Sequence, residues 1–134
     1  FLKDLKIENS FSTSLQGRLT EDLHLIEDIK KADLIVNTTP VGMTKNPDQP
    51  SDTTDIPLGS EIWKNLNSKT TLYDLIYTPR PTHWLRLGSK MGCRNIDGLD
   101  MLIGQGAASL KLWSGHHKIP IKLMKKAAEK FLTF

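Results

Sequence analysis

Gln105 is the residue whose surroundings most call for a chemical explanation. It lies within LDMLIGQGAASLKLWS, residues 99–114. At 100° per residue, Leu99, Leu102, Ile103, Gly106, Leu110 and Trp113 share one face of a helix there. Met101, Ala108 and Leu112 lie roughly opposite, with Gln105 among them. A helix apolar on two sides is expected to be largely buried, and a buried amide needs hydrogen-bond partners. Either a neighbouring backbone supplies them, or Gln105 faces a cleft and holds a ligand. Tyr77 ends the β-branched and aromatic run of residues 71–77, before Pro79 and Pro81. Its phenol can bond a carboxylate or hydroxyl, or it caps the edge of a sheet. Asp97-Gly98 is either a strand-to-helix turn or a place where backbone must closely approach a flat ligand, which glycine permits. Thr38 and Thr39, followed by Pro40-Val41-Gly42, make a turn with N–H and O–H donors, or an ordinary β–α connection. Asp74, inside a run, reads as a structural acceptor for loop N–H groups.

The remaining reactive residue types form no catalytic set. His116-His117 has no acidic or cysteine partner at metal-ligand spacing. His24 and His83 read as helix surface residues. Cys93 has no histidine or basic constellation beside it that would mark a nucleophile, and no serine occupies a nucleophile elbow. Neither GxGxxG nor GxxxxGK[ST] occurs, so the usual phosphate cradle is not encoded here.

The elements that must position these residues follow α/β grammar. Residues 71–77 read as a strand. Pro79 and Pro81 break it, and an apolar helical stretch follows to Met91, stopped by Gly92. Residues 93–97 form a second short strand, and a helix from about Asp100 to Trp113 follows Gly98. In such folds ligands gather at the carboxyl ends of the strands. Upstream, residues 33–39 (DLIVNTT) give the clearest strand. Its continuous Leu34-Ile35-Val36 run predicts burial on both faces of a parallel sheet. Before it, Thr20 is a suitable N-cap, with Glu21 and Asp22 in the first turn and Lys30-Lys31 in the last, an order that complements the helix dipole. Leu19, Leu23, Ile26 and Ile29 would be its apolar stripe. Phe1, Leu2 and Leu5 suggest the tail of another helix, and residues 11–15 a short strand. Residues 44–57, with three prolines and three aspartates, read as a loop, closed by a short helix around Ile62, Trp63 and Leu66. A terminal helix starts at Pro120, with Ile121, Met124, Ala128 and Phe131 on one face. The expected fold is α/β: a partial Rossmann-like parallel sheet of three or four short strands flanked by helices, with two C-terminal helices packed together.

Length and composition set bounds. The 134 residues suit one folded unit. No apolar run approaches the ~18 residues of a membrane span, and no membrane partner is expected. The first residues lack the pattern of a signal peptide, and the chain does not begin with Met, so it reads as starting partway through a longer protein. A lone cysteine fits a reducing, cytoplasmic compartment. The net charge of +3 comes from scattered lysines, many on the last helix. They are not interleaved with aromatics on one face, so no nucleic acid is expected.

Four stretches together resemble a known family. Asn37-Thr38-Thr39-Pro40-Val41-Gly42-Met43; Asp74, Tyr77, Pro79 and Thr82; Asp97-Gly98-Leu99, Met101-Leu102 and Gln105; and Leu112-Trp113-Ser114-Gly115 look like the C-terminal half of shikimate dehydrogenase, in order and spacing, over residues 32–115. The resemblance implies reduction of 3-dehydroshikimate to shikimate with NADPH, in aromatic amino acid biosynthesis. It implies two α/β domains: a substrate domain bearing a catalytic Lys–Asp pair, then a Rossmann-like NADP domain whose last helices return to line the cleft. On this chain it implies residues 1–98 as a partial NADP-binding domain and 99–134 as helices closing onto the substrate domain. By the same resemblance, Tyr77 would hold the carboxylate side of shikimate and Gln105 a substrate hydroxyl. Leu75 and Gly98 would contact the nicotinamide end of NADP, partly by backbone. Thr38 and Thr39 would border its phosphate and ribose.

The chain departs from the family pattern in what these residues do not include: the Lys–Asp substrate domain, the glycine-rich loop and the basic motif selecting the 2′-phosphate. The lysines at positions 3 and 6 do not replace that motif. Thr38 stands where the family often has Ala, and Asp100 where Gly or another residue is common. The chain alone is therefore expected to be inactive, with no catalytic residue of its own. A quinate/shikimate dehydrogenase preferring NAD is the alternative within the class. A non-catalytic module pairing with another chain, as a homo-oligomer through an exposed sheet edge, is the alternative outside it.

Overall fold

The structure is a computed structural model describing residues 23–44 and 55–132. In chain order the elements are α1 (Leu23–Lys31), β1 (Leu34–Asn37), α2 (Ser60–Trp63), β2 (Thr71–Asp74), α3 (His83–Lys90), β3 (Arg94–Ile96), α4 (Leu99–Ser114) and α5 (Ile121–Leu132). The expected features in residues 1–22, including the Thr20 cap, Leu19 and the strand at 11–15, lie outside the described residues, as does most of the 44–57 loop.

The three strands form one parallel sheet in the order β1-β2-β3. Leu34 is opposite Thr71 and Asn37 opposite Asp74; Thr71 is opposite Arg94 and Tyr73 opposite Ile96. The α/β class and the parallel sheet agree with the reading of the sequence. The breakers act at the positions expected of them. Thr82 caps α3, its hydroxyl accepting from the Leu85 N–H at 3.4 Å. Gly92 ends the turn after α3 with φ +84°, a backbone state that L side chains rarely adopt. The peptide bonds before Pro79 and Pro81 are cis.

The main core cluster joins Leu25 and Ile29 of α1, Ile62 and Trp63 of α2, Leu72 of β2 and Trp84 and Leu85 of α3, with Leu66 and Cys93. The indole rings of Trp63 and Trp84 lie 5.3 Å apart and are tilted by 50°, an aromatic contact within the favourable range. Leu99, Ile103 and Ala107 are the buried residues of α4. No helix among the described residues is long and apolar enough to cross a membrane.

Three expectations about burial are corrected. The apolar face of α1 is centred on Leu25 and Ile29, one helical turn apart, while Ile26 is only half-buried. In β1, Leu34 and Val36 are exposed and only Asn37 is buried. β1 is an edge strand, and its alternate residues point to a side that no described element covers. In α4 only one face is covered, and Gln105 is exposed. The buried residues of α4 end at Ala107, and further along Leu112 and Trp113 keep more than four-fifths of their surface open. In α5, Ile121 and Phe131 are exposed and no residue is buried; α4 is the element it packs against.

Candidate functional site

A parallel sheet places the carboxyl ends of its strands along one edge. Here that edge carries Asn37 to Thr39, Leu75 to Tyr77, and Asp97-Gly98. The three ends are joined by a hydrogen-bonded network that begins on Asn37. Its side-chain oxygen accepts from the Thr39 N–H at 3.0 Å and from the Thr39 hydroxyl at 2.7 Å. Its amide donates to the Val41 carbonyl at 3.3 Å and to Asp74 Oδ1 at 3.1 Å. An Asn that bonds its own backbone two residues on is the Asx turn that ends many strands. This one ties the Thr38-Thr39 turn to the neighbouring strand.

Asp74 is the centre of the network and has no solvent exposure. Oδ1 also accepts from the Ile76 N–H at 3.1 Å, and Oδ2 accepts from the Thr82 hydroxyl at 2.7 Å. One carboxylate therefore organises the end of β1, the turn after β2 and the cap of α3. Burial pushes its carboxyl above the usual range, against the lowering effect of the hydrogen bonds from Thr82, Ile76 and Asn37. The desolvation of an anion outweighs three donors. With both oxygens engaged and no access to solvent, Asp74 holds structure, as its place in a strand predicted.

The third strand end is locked by contact. Gly98 lies so close to Leu75 that a Cβ at position 98 would fall 1.9 Å from the Leu75 carbonyl oxygen. Its N–H donates to the Ile76 carbonyl at 3.2 Å. Asp97 follows β3 and caps α4: Oδ1 accepts from the Leu99 N–H at 3.0 Å. Its other oxygen, Oδ2, takes the Arg80 Nε–H at 2.6 Å. The Thr44 N–H donates to the Thr78 carbonyl at 3.1 Å, which joins the segment after β1 to the loop after β2.

Five of the six residues singled out in the sequence share this edge. Thr38 is exposed; Thr39 is half-buried and bonded to Asn37; Leu75 packs on the buried Gly98; Tyr77 is exposed beside them. The sixth, Gln105, is exposed on α4, seven residues and about 10 Å along the helix from Gly98. Arg80 and the caps on Thr82 and Asp97 complete the edge. Thr82, ahead of an apolar helical run and behind a proline, carries a cap signal in sequence. Arg80 carries none.

Three comparisons bear on the origin of this arrangement. Residues 98–129 match the family described as Shikimate 5'-dehydrogenase C-terminal domain. A shikimate dehydrogenase (NADP(+)) from Prochlorococcus marinus strain MIT 9515 is 43% identical over 133 residues, 98% of this chain and 42% of the relative. The chain belongs to the shikimate dehydrogenase family. It corresponds to the C-terminal half of its relatives and spans about two-fifths of the length of the curated one just named. Two solved shikimate dehydrogenases share its fold. One, in complex with NADP+, is 34% identical with a TM-score of 0.64, over 82% of this chain and 35% of that one. The other, from Thermus thermophilus in complex with NADP(H) and shikimate, is 31% identical with a TM-score of 0.63, over 78% and 36%.

Proposed function

We propose that this chain is the cofactor-and-cleft part of an NADP-dependent shikimate dehydrogenase, reducing 3-dehydroshikimate to shikimate within a longer protein. The observation that carries the reading is the Leu75–Gly98 contact. It brings the backbones of two strand ends into direct contact at the edge where a flat ring would lie. In this reading residues 1–98 belong to the NADP-binding domain and residues 99–134 close onto a substrate domain.

NADPH, when bound, supplies the hydride that adds to the ring ketone carbon. The residues of this chain bind and orient. Leu75 and Gly98 receive the nicotinamide end, and the Thr38-Thr39 turn borders the ribose and phosphate. The Thr39 hydroxyl proton is already given to Asn37, so Thr38, which faces solvent, is the hydroxyl placed to meet the cofactor. Tyr77 donates to the substrate carboxylate. Gln105, with both a donor and an acceptor on its amide, holds a substrate hydroxyl. Asp74, sealed in its network, is not the source of the proton for the new alcohol. Cytoplasmic location and contact between copies along the open edge of β1 belong to the same proposal.

The test is shikimate-dependent reduction of NADP+ by the longer natural protein that carries this segment, beside the 134-residue chain alone. Turnover by the first and none by the second is expected. Tyr77→Phe and Gln105→Ala each lower kcat/KM for shikimate by about tenfold or more, the scale of one lost hydrogen bond to a charged or buried group. Steady turnover by the short chain would overturn the division of labour. Turnover of quinate with NAD, and none of shikimate with NADP+, would overturn the substrate and cofactor.

A further inference from the structure

Arg80 and Asp97 sit 17 residues apart in sequence on two different loops of the candidate site. The span from Ile76 to Arg80 is fastened at both ends to the same turn. At the near end, the Gly98 N–H donates to the Ile76 carbonyl at 3.2 Å. At the far end, Arg80 Nε donates to Asp97 Oδ2 at 2.6 Å. Tyr77 lies between the two fastenings and keeps 36% of its surface open. Asp97 is itself held, because its other oxygen accepts from the Leu99 N–H at the start of α4. Asp97 therefore transmits the position of α4, and with it Gln105, to the loop that carries Tyr77.

From this geometry we propose that the Arg80–Asp97 ion pair is a positioning device for substrate, setting the pose of Tyr77 relative to Gln105. The proposal rests on the function proposed above. Global stability is not its main effect. Both side chains are partly open to solvent, and pairs of that kind add little to folding. Its effect is local, on the substrate side. The cofactor side is held separately, by the Asn37–Asp74 network and the Gly98–Leu75 contact, neither of which includes Arg80.

The experiment uses the longer natural protein with Arg80→Gln, Asp97→Asn, the double variant and Arg80→Lys. Asp97→Asn keeps the side-chain oxygen that caps Leu99 while removing the charge that meets Arg80. Each single variant is expected to lower kcat/KM for shikimate by about tenfold, the scale of a small misplacement of a binding group. The KM for NADP+ should change less than about twofold, the double should be no worse than either single, and Arg80→Lys should recover part of the loss. Equal losses toward shikimate and NADP+, additive losses in the double, or no loss would each overturn the proposal. Amide hydrogen exchange supplies a readout independent of activity. Arg80→Gln should speed exchange at Gly98 and Leu99, on the opposite loop. If the wild type shows no shikimate activity, the functional reading fails and exchange alone decides: faster exchange keeps the clamp, unchanged rates refute it.

Discussion

The strand-end network and the outer half of the α4–α5 pair are held in opposite ways. At the strand ends, Asp74, Thr82 and Gly98 are buried and every side-chain polar atom of Asp74 and Asn37 has a partner within the chain. In the outer helices Leu112, Trp113, Leu123 and Phe131 face solvent, and α5 buries nothing. The first region carries its own reasons for being ordered. The second carries apolar side chains whose cover does not lie among the described residues.

Two tryptophans test that contrast most strongly. Trp84 is 2% exposed and Trp113 84% exposed. Trp84→Ala should cost about 3–5 kcal/mol by urea denaturation of the chain, the usual range for emptying a core aromatic site. Gly98→Ala comes next, at about 3 kcal/mol, because the added methyl meets the backbone carbonyl of Leu75, which cannot swing aside. If Gly98→Ala melts like the wild type, the flush contact between the strand ends is wrong.

Asp74→Ala should cost about 2 kcal/mol, since it strands the Asn37 amide, the Ile76 N–H and the Thr82 hydroxyl in a buried place. Its pH dependence sharpens the test. The carboxyl of Asp74 is raised in the folded protein by burial, so the folded state holds its proton more tightly than the unfolded chain. The associated stabilisation is fully present below the ordinary carboxylate range. It is lost as pH rises through the folded value. The stability of wild type minus that of Asp74→Asn should therefore fall with rising pH across that window and level off above it. A difference that instead grows with pH would mean the hydrogen bonds outweigh burial. The smallest effect is that of Trp113→Ala, within about 0.5 kcal/mol in the 134-residue chain. In the longer natural protein its cost should rise towards that of Trp84→Ala; an equally small cost there would break the comparison.

How much of this was legible in the sequence depended on whether the information was local. Pro81, Gly92 and Gly98 punctuate the chain, and α3, β3 and α4 begin or end within two residues of them, whereas β2 stops at Asp74, short of Tyr77 and Pro79 where the sequence placed its end. The structural role of Asp74 followed from its place in a strand with loops on either side. Burial was less legible, because periodicity records that a face is apolar without saying what meets it. Leu34 and Val36 read as a doubly buried strand and stand at an open edge; Gln105 read as a buried amide and is exposed. The Arg80–Asp97 pair could not be read at all, because it joins loops whose approach is decided by the sheet. Gly98 read either as a plain strand-to-helix turn or as a place where backbone approaches a flat ligand. That the approaching group is the Leu75 carbonyl needed the three-dimensional structure.

The two-residue turn Asp97-Gly98 also has a mechanical meaning. It joins a short strand directly to a stiff rod of 16 residues, and such a rod behaves as a lever with its fulcrum at the sheet edge. A rotation of about 5° at the fulcrum would sweep the far end of α4 through about 2 Å but shift Gln105 by less than about 1 Å, given the rise of an α-helix. The far end of α4 therefore travels more than twice as far as Gln105 for the same rotation, and the amide near the fulcrum keeps its aim.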